Sequence, residues 1–159
     1  MMAHNDRQLS PLEKRTAELS LAASFVEVLT KAYDEKTALE ILDQVVKREA
    51  EVAAVSFHSV YPEKTLKTLY EVWKILGGDG RLALQLEELT PRRLKFCITR
   101  CQYAESYRKL GLEKLGILFS CRRDEPFAKA LIPGIHLTQS KTILEGSDCC
   151  IFEYILEEA

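Results

Sequence analysis

The sequence predicts an α+β domain, in which N-terminal helices pack with a four-stranded, mainly antiparallel sheet formed by the C-terminal half. Three observations carry that expectation. Apolar residues recur at three and four through the first half, the period changes to two from Arg81 onward, and short turn signals separate the alternating runs. At 159 residues and 47% hydrophobic, the chain suits one domain spanning residues 1–159, with a helical part over 11–77 and a sheet-containing part over 81–157.

Each element has a local cause. Ser10-Pro11-Leu12-Glu13 combines a capping serine, a proline at the first helical position and a glutamate that completes a capping box. The helix predicted from about Pro11 to Tyr33 buries a stripe through Leu12, Leu19 and Val26. Asp34 interrupts it. A second helix then runs from about Lys36 to Val60 on Leu39, Leu42, Val46, Ala50 and Ala53, with His58 near its end as a helix-terminal residue. Pro62 opens a third helix in this reading, with Trp73 as a core anchor among leucines and Gly77-Gly78-Asp79-Gly80 as its stop. That glycine run follows a helix and lacks a Lys-Ser/Thr ending, so it is not a phosphate loop.

The alternation Leu82-Leu84-Leu86, the turn Thr90-Pro91-Arg92-Arg93 and the alternation Leu94-Phe96-Ile98 describe an antiparallel hairpin, with Cys97 on the face away from the core. Cys101 falls at the junction with a helix, where unsatisfied backbone N–H groups are expected to lower a thiol pKa. A further helix from about Leu112 to Ser120 leads to Cys121-Arg122-Arg123-Asp124, followed by an irregular excursion through Pro126 and Pro133-Gly134. Two last strands, Ile135 to Leu144 and Cys149 to Leu156, are joined by Glu145-Gly146-Ser147-Asp148. Cys150, Phe152 and Tyr154 share one face of the last strand, and Cys149 lies on the other.

Composition excludes several function classes. With 22 basic and 24 acidic residues and no basic block, no nucleic-acid partner is expected. No apolar run approaches the roughly 18 residues of a membrane span, and the first ten residues lack a signal-peptide core, so the expectation is a soluble, cytoplasmic protein with no membrane partner. Its five cysteines are then reduced thiols. The sequence leaves a homo-oligomer open.

The chemistry-bearing candidates are Cys101, Cys121, Asp124 and Cys150. No paired CxxC knuckle exists, since the three cysteines are 20 and 29 residues apart, and only the fold can bring them together. If they converge with Asp124, three thiolates and one carboxylate suit a divalent metal such as zinc, at about 2.3 Å per sulfur. No cofactor is otherwise specified. Read bottom-up, each cysteine also serves as a small buried hydrophobe, Asp124 as a surface ion-pair partner of its neighbouring arginines, and His136 as an isolated histidine at the start of a strand.

Lys95-Phe96-Cys97-Ile98-Thr99-Arg100-Cys101-Gln102-Tyr103-Ala104-Glu105, then Leu110-Gly111, Leu115-Gly116, Cys121-x-x-Asp124, and Thr142-Ile143-Leu144-Glu145-Gly146 with Cys150-Ile151-Phe152 follow one another in an order that resembles the L-2-amino-thiazoline-4-carboxylic acid hydrolase family over about 94–154. The resemblance implies a small-molecule substrate and hydrolysis of a non-peptide C–N bond in a cyclic amidine, opening the ring to a carbamoyl-cysteine. It implies catalytic roles for Cys101, Cys121, Asp124 and Cys150, with Asp124 as proton acceptor beside a thiolate or a metal-bound hydroxide. Tyr103, Lys141 and Thr142 become candidate substrate-binding residues. One departure stands out: Gln139-Ser140-Lys141-Thr142 replaces an Arg-Thr-x-Thr run, so a guanidinium suited to a substrate carboxylate is missing, and Lys141 compensates only if it shares the face of Gln139.

A cysteine before a helix and the ending Gly146-x-x-x-Cys150-x-Phe152 are also similar, more distantly, to 4-vinyl-reductase-type small-molecule-binding domains. That similarity implies the alternative of a non-catalytic binding or sensing domain. A third class, a helical partner protein, requires a large exposed apolar stripe on one N-terminal helix.

Overall fold

The computed structural model describes residues 8–157. Helix α1 spans Pro11–Ala32, and its capping box is formed: Ser10 Oγ accepts from Glu13 N at 3.2 Å while Ser10 N donates to Glu13 Oε2 at 2.9 Å. Helix α2 spans Glu35–His58 behind Asp34, whose carboxylate accepts from Thr37 N. Helix α3 spans Leu66–Leu76 rather than starting at Pro62, because Thr65 supplies the cap that accepts from Thr68 N. No helix among the described residues is long and apolar enough to cross a membrane.

Strands β1 (Leu82–Leu89) and β2 (Arg93–Cys101) form the expected hairpin. Helices α4 (Gln102–Lys109) and α5 (Glu113–Phe119) follow. A 3₁₀ turn over Cys121–Arg123 then leads into α6, Asp124–Leu131, where the sequence suggests an irregular excursion. Pro126 is tolerated because it stands in the first turn, where its missing N–H has no intrahelical acceptor to lose, and Asp124 and Glu125 suit a helix N-terminus. Strand β3 spans Ile135–Lys141 and β4 spans Cys150–Leu156.

The sheet order is β1-β2-β4-β3, antiparallel throughout. Its register places Leu94, Phe96 and Ile98 opposite Tyr154, Phe152 and Cys150, so both alternating sets lie on one buried face. Phe96 and Phe152 stack at 5.0 Å, and Trp73 from α3 tilts over both at 5.3 and 4.9 Å. The indole Nε1 donates to Tyr154 Oη at 3.2 Å, which confirms Trp73 as the core anchor. A second apolar cluster gathers Leu19, Leu42, Val46, Tyr107 and Phe119 beneath α1. Gly116 permits its closest approach, since a Cβ there would stand 2.5 Å from the Tyr107 ring.

Candidate functional site

Between the two clusters the packing leaves a cavity of about 680 Å³. Its walls come from α1, α2, α4 and α6 and from the inner sheet face, and most are apolar: Ala22, Val46, Phe57, Trp73, Ile98 and Phe152 among them. Cys101, Cys121, Cys150 and Asp124 all line this one cavity. The route is nonlocal. Cys101 ends β2 and caps α4, Cys121 opens the 3₁₀ turn, Asp124 starts α6, and Cys150 opens β4.

None of the three thiols is set up as a thiolate. Cys101 Sγ accepts from Ala104 N at 3.4 Å, yet burial raises its pKa more than the Ala104 and Tyr103 backbone N–H groups lower it. The expectation of a lowered pKa at this junction is therefore overturned, because desolvation outweighs the helix end. Cys150 Sγ accepts from Ile143 N at 3.2 Å, and burial pushes it up to about 11. Cys121 is raised furthest, by burial first and then by the neighbouring Asp124, Cys150 and Cys101. Among the described residues no three His, Cys, Asp or Glu side chains are grouped so as to hold a metal ion, so the donor set does not fit the zinc arrangement.

Asp124 differs from its surface-pair reading. Its carboxyl makes no hydrogen bond or ion pair with any described residue, and burial pushes its pKa to about 8, against the opposing pull of Arg123 and Arg15. Gln139 contributes a buried Nε2 without a partner in the wall of the same cavity. Arg15 and Arg123 line the cavity too. Arg15 donates to Phe119 O at 2.7 Å, reaches Glu18 at 3.1 Å and lies 4.0 Å over the Phe119 ring. Burial, and then Arg15, lowers the Arg123 pKa. Neither arginine was singled out as a binding group by the sequence. The available signal was Arg15 standing four residues before Leu19 on the inward stripe of α1.

Of the three substrate-binding candidates, the cavity wall includes only Tyr103, whose hydroxyl pKa is raised by burial and held back by Arg81. Lys141 is exposed on the other face, because a bulge between Gln139 and Lys141 pairs Gln139 with Phe152 but Lys141 with Ile151. It cannot replace the missing guanidinium from there. Thr142 is buried, but its hydroxyl is committed to Glu145, donating to Oε2 at 2.5 Å and accepting from N at 3.2 Å. Thr142 thus holds the turn, and β3 ends at Lys141 rather than Leu144 because the backbone there folds back on itself, with Glu145 N and Ser147 N donating to Thr142 O. His136 pairs with Glu157 at 3.0 Å on the surface.

The family model described as L-2-amino-thiazoline-4-carboxylic acid hydrolase matches residues 13–154. The chain belongs to the L-2-amino-thiazoline-4-carboxylic acid hydrolase family. The match extends the resemblance of the C-terminal half back through α1, α2 and α3. No curated protein matches the sequence. Among solved structures, the chain is similar to the phenol-responsive sensory domain of the transcription activator PoxR with phenol, at 12% identity and a TM-score of 0.58, covering 94% of this chain and 78% of that one. It is also similar to a trafficking protein particle complex subunit 3 from Naegleria fowleri covalently bound to palmitic acid, at 13% identity and a TM-score of 0.55, covering 91% and 96%. At these identities the likeness establishes a shared fold.

Proposed function

We propose that this family member binds a small organic molecule in the cavity, with an apolar body against the helix-lined walls and a polar head at Asp124 and Gln139. The observation that carries the reading is a polar corner in a mostly apolar cavity, where the Asp124 carboxyl, its pKa raised to about 8 by burial, and the unpartnered Nε2 of Gln139 line the same space as Arg15 and Arg123. Buried polar groups are normally satisfied, and those that are not are completed by whatever fills the space. At about 680 Å³ the cavity is far larger than a single thiazoline ring, which favours a ligand with additional apolar bulk. The similar folds solved with phenol and with palmitic acid support a cavity of this kind as a ligand site.

A cationic head such as an amidinium would draw Asp124 into its ionised form, so binding at pH 7 releases a proton. Calorimetry with 2-aminothiazoline-4-carboxylate and with bulkier amidines, run in two buffers of different ionisation enthalpy, tests this. The expected result is proton release by the wild type and none by Asp124→Asn. Absence of binding by the whole series counts against the reading.

A second reading, turnover, is favoured by family membership and by a cavity carboxyl whose pKa of about 8 suits a general base near neutral pH. Water adds to the amidine carbon while the Asp124 carboxylate takes its proton. The tetrahedral adduct collapses as the C–N bond breaks, and Asp124 returns the proton to the departing ring nitrogen, giving a carbamoyl-cysteine. The neutral thiols serve here as cavity wall rather than nucleophile. Mass spectrometry looks for a product heavier by one water, formed at a rate that rises with pH through about 8 and is lost in Asp124→Asn. If thiazoline is bound but unchanged, binding without turnover remains.

A further inference from the structure

The cavity has a cationic end that a ligand head at Asp124 and Gln139 does not account for. Arg15 from α1 and Arg123 from the 3₁₀ turn both line it. The bonds that place them fall on consecutive carbonyls: Arg15 Nη2 donates to Phe119 O at 2.7 Å, and the Arg123 backbone N–H donates to Ser120 O at 3.3 Å. Both residues are thereby tied to the C-terminal end of α5, where that helix meets the turn.

Two cations held together away from bulk water repel each other and lose hydration, and charges in such places are normally paired. Arg15 is partly answered, since Nη1 lies 3.1 Å from Glu18 on the solvent side and the guanidinium covers the Phe119 ring. Arg123 is not. Its guanidinium makes no hydrogen bond or ion pair with any described residue, and burial, then Arg15, pulls its pKa down against weaker opposing pulls from Asp124 and Glu18. Asp124 is its neighbour in sequence, but a pKa of about 8 keeps that carboxyl mostly protonated at neutral pH. The other cavity acids, Glu18 and Glu49, are exposed to water, as is Lys14. The enclosed wall therefore carries the charge of both arginines and no full negative charge to balance it. Charge-assisted hydrogen bonds are strongest in such an apolar enclosure, and the planar fork of a guanidinium matches the two oxygens of a carboxylate.

We infer that Arg15 and Arg123 form an anion clamp, so that the ligand of this cavity is an organic acid, its carboxylate held between the two guanidiniums and its apolar body against Ala22, Val46, Phe57 and Phe152. The inference rests on the reading of the cavity as a small-molecule site and adds the charge class of the molecule. An amidine that also bears a carboxylate would meet Asp124 with one end and the arginines with the other. A ligand without an acid group would leave Arg123 unpaired.

Calorimetry of the full chain with phenylbutyrate and with its methyl ester tests the clamp, because the two share an apolar body and differ in charge. The acid is expected to bind at least about tenfold more tightly than the ester, as charge-assisted hydrogen bonds warrant. Arg123→Gln should remove most of that preference, and the double variant Arg15→Gln/Arg123→Gln all of it, with ester affinity unchanged. Arg123→Gln deletes a charge that no described residue pairs with, so the fold should survive, and ester binding reports an intact cavity in each variant. A purely structural role for the arginines would weaken acid and ester together. An ester that binds as tightly as the acid, an acid preference that survives the double substitution, parallel loss of acid and ester, or binding of amidines but of no acid overturns the clamp alone and leaves the cavity reading standing. Failure of acid, ester and amidines alike overturns both.

Discussion

Replacing Asp124 by asparagine isolates the strongest electrostatic feature of the cavity and needs no knowledge of the ligand. The carboxyl has a pKa near 3.8 when unfolded and about 8 in the folded protein, raised by burial. Between those values the native state holds a proton that the unfolded state has released, so stability falls as pH rises. Below pH 3.8 both states are protonated and the group costs nothing. From there the cost grows by about 1.4 kcal/mol per pH unit, reaches on the order of 4 kcal/mol at pH 7, and levels off above pH 8. Water held in the cavity solvates part of the charge, which makes this an upper figure. Asparagine keeps the shape and never ionises, and because Asp124 has no hydrogen-bond partner to lose, little opposes the gain. Urea unfolding of both proteins from pH 4 to 9 should therefore show Asp124→Asn no more stable at pH 4 and increasingly more stable up to pH 8. A difference that stays flat with pH, or a wild type that is the more stable at pH 8, would refute the buried, unpaired state of this carboxyl.

Gly116→Ala drives a methyl to within 2.5 Å of the buried Tyr107 ring and should cost about 1–3 kcal/mol, lowering the thermal midpoint by roughly 5 °C, whereas an unchanged midpoint means that the α4–α5 contact is looser than described. Tyr154→Phe removes the acceptor of the Trp73 indole and leaves a buried donor unpaired, at about 1–3 kcal/mol; because Trp73 is the sole tryptophan, its fluorescence should change in the same variant. Iodoacetamide at neutral pH should label Cys121 and Cys150 in the native protein far more slowly than in urea, as mapped by mass spectrometry, and labelling of either at the rate of a free thiol contradicts its raised pKa.

The sequence displayed the parts of this fold whose causes are local. Ser10 and Glu13 announce α1 through groups three residues apart, and Leu94-Phe96-Ile98 and Cys150-Phe152-Tyr154 announce a shared sheet face because one alternation admits one register. Features that depend on distant backbone escaped it. Pro126 suggests a break when read alone, and only its position in the first turn of α6 makes it compatible with a helix. Lys141 keeps the face of Gln139 by simple alternation, and the bulge that reverses it leaves no mark in residue types. Arg15 and Arg123 became cavity residues only once α1 and the 3₁₀ turn met across the space between two apolar clusters.

The cysteines show how a site can be half legible. Their shared location comes from the fold, which brings three separate elements to one cavity, and their job depends on what else wants the sulfur. At Cys101 and Cys150 a backbone N–H points at the thiol from the next turn or the neighbouring loop, and each donor would otherwise be buried without a partner. Sulfur is a weak acceptor with an apolar surface, so it satisfies the donor while keeping the wall of the cavity greasy. Serine would accept those bonds more strongly, but its shorter Cβ–O bond pulls the oxygen back from the donor and puts a hydroxyl into a mostly apolar wall. A thiol is the compromise that an apolar cavity with buried backbone donors favours, which accounts for Cys101 and Cys150 in this wall. Asp124 is by contrast a cavity carboxyl whose pKa of about 8 lets it change protonation near neutral pH.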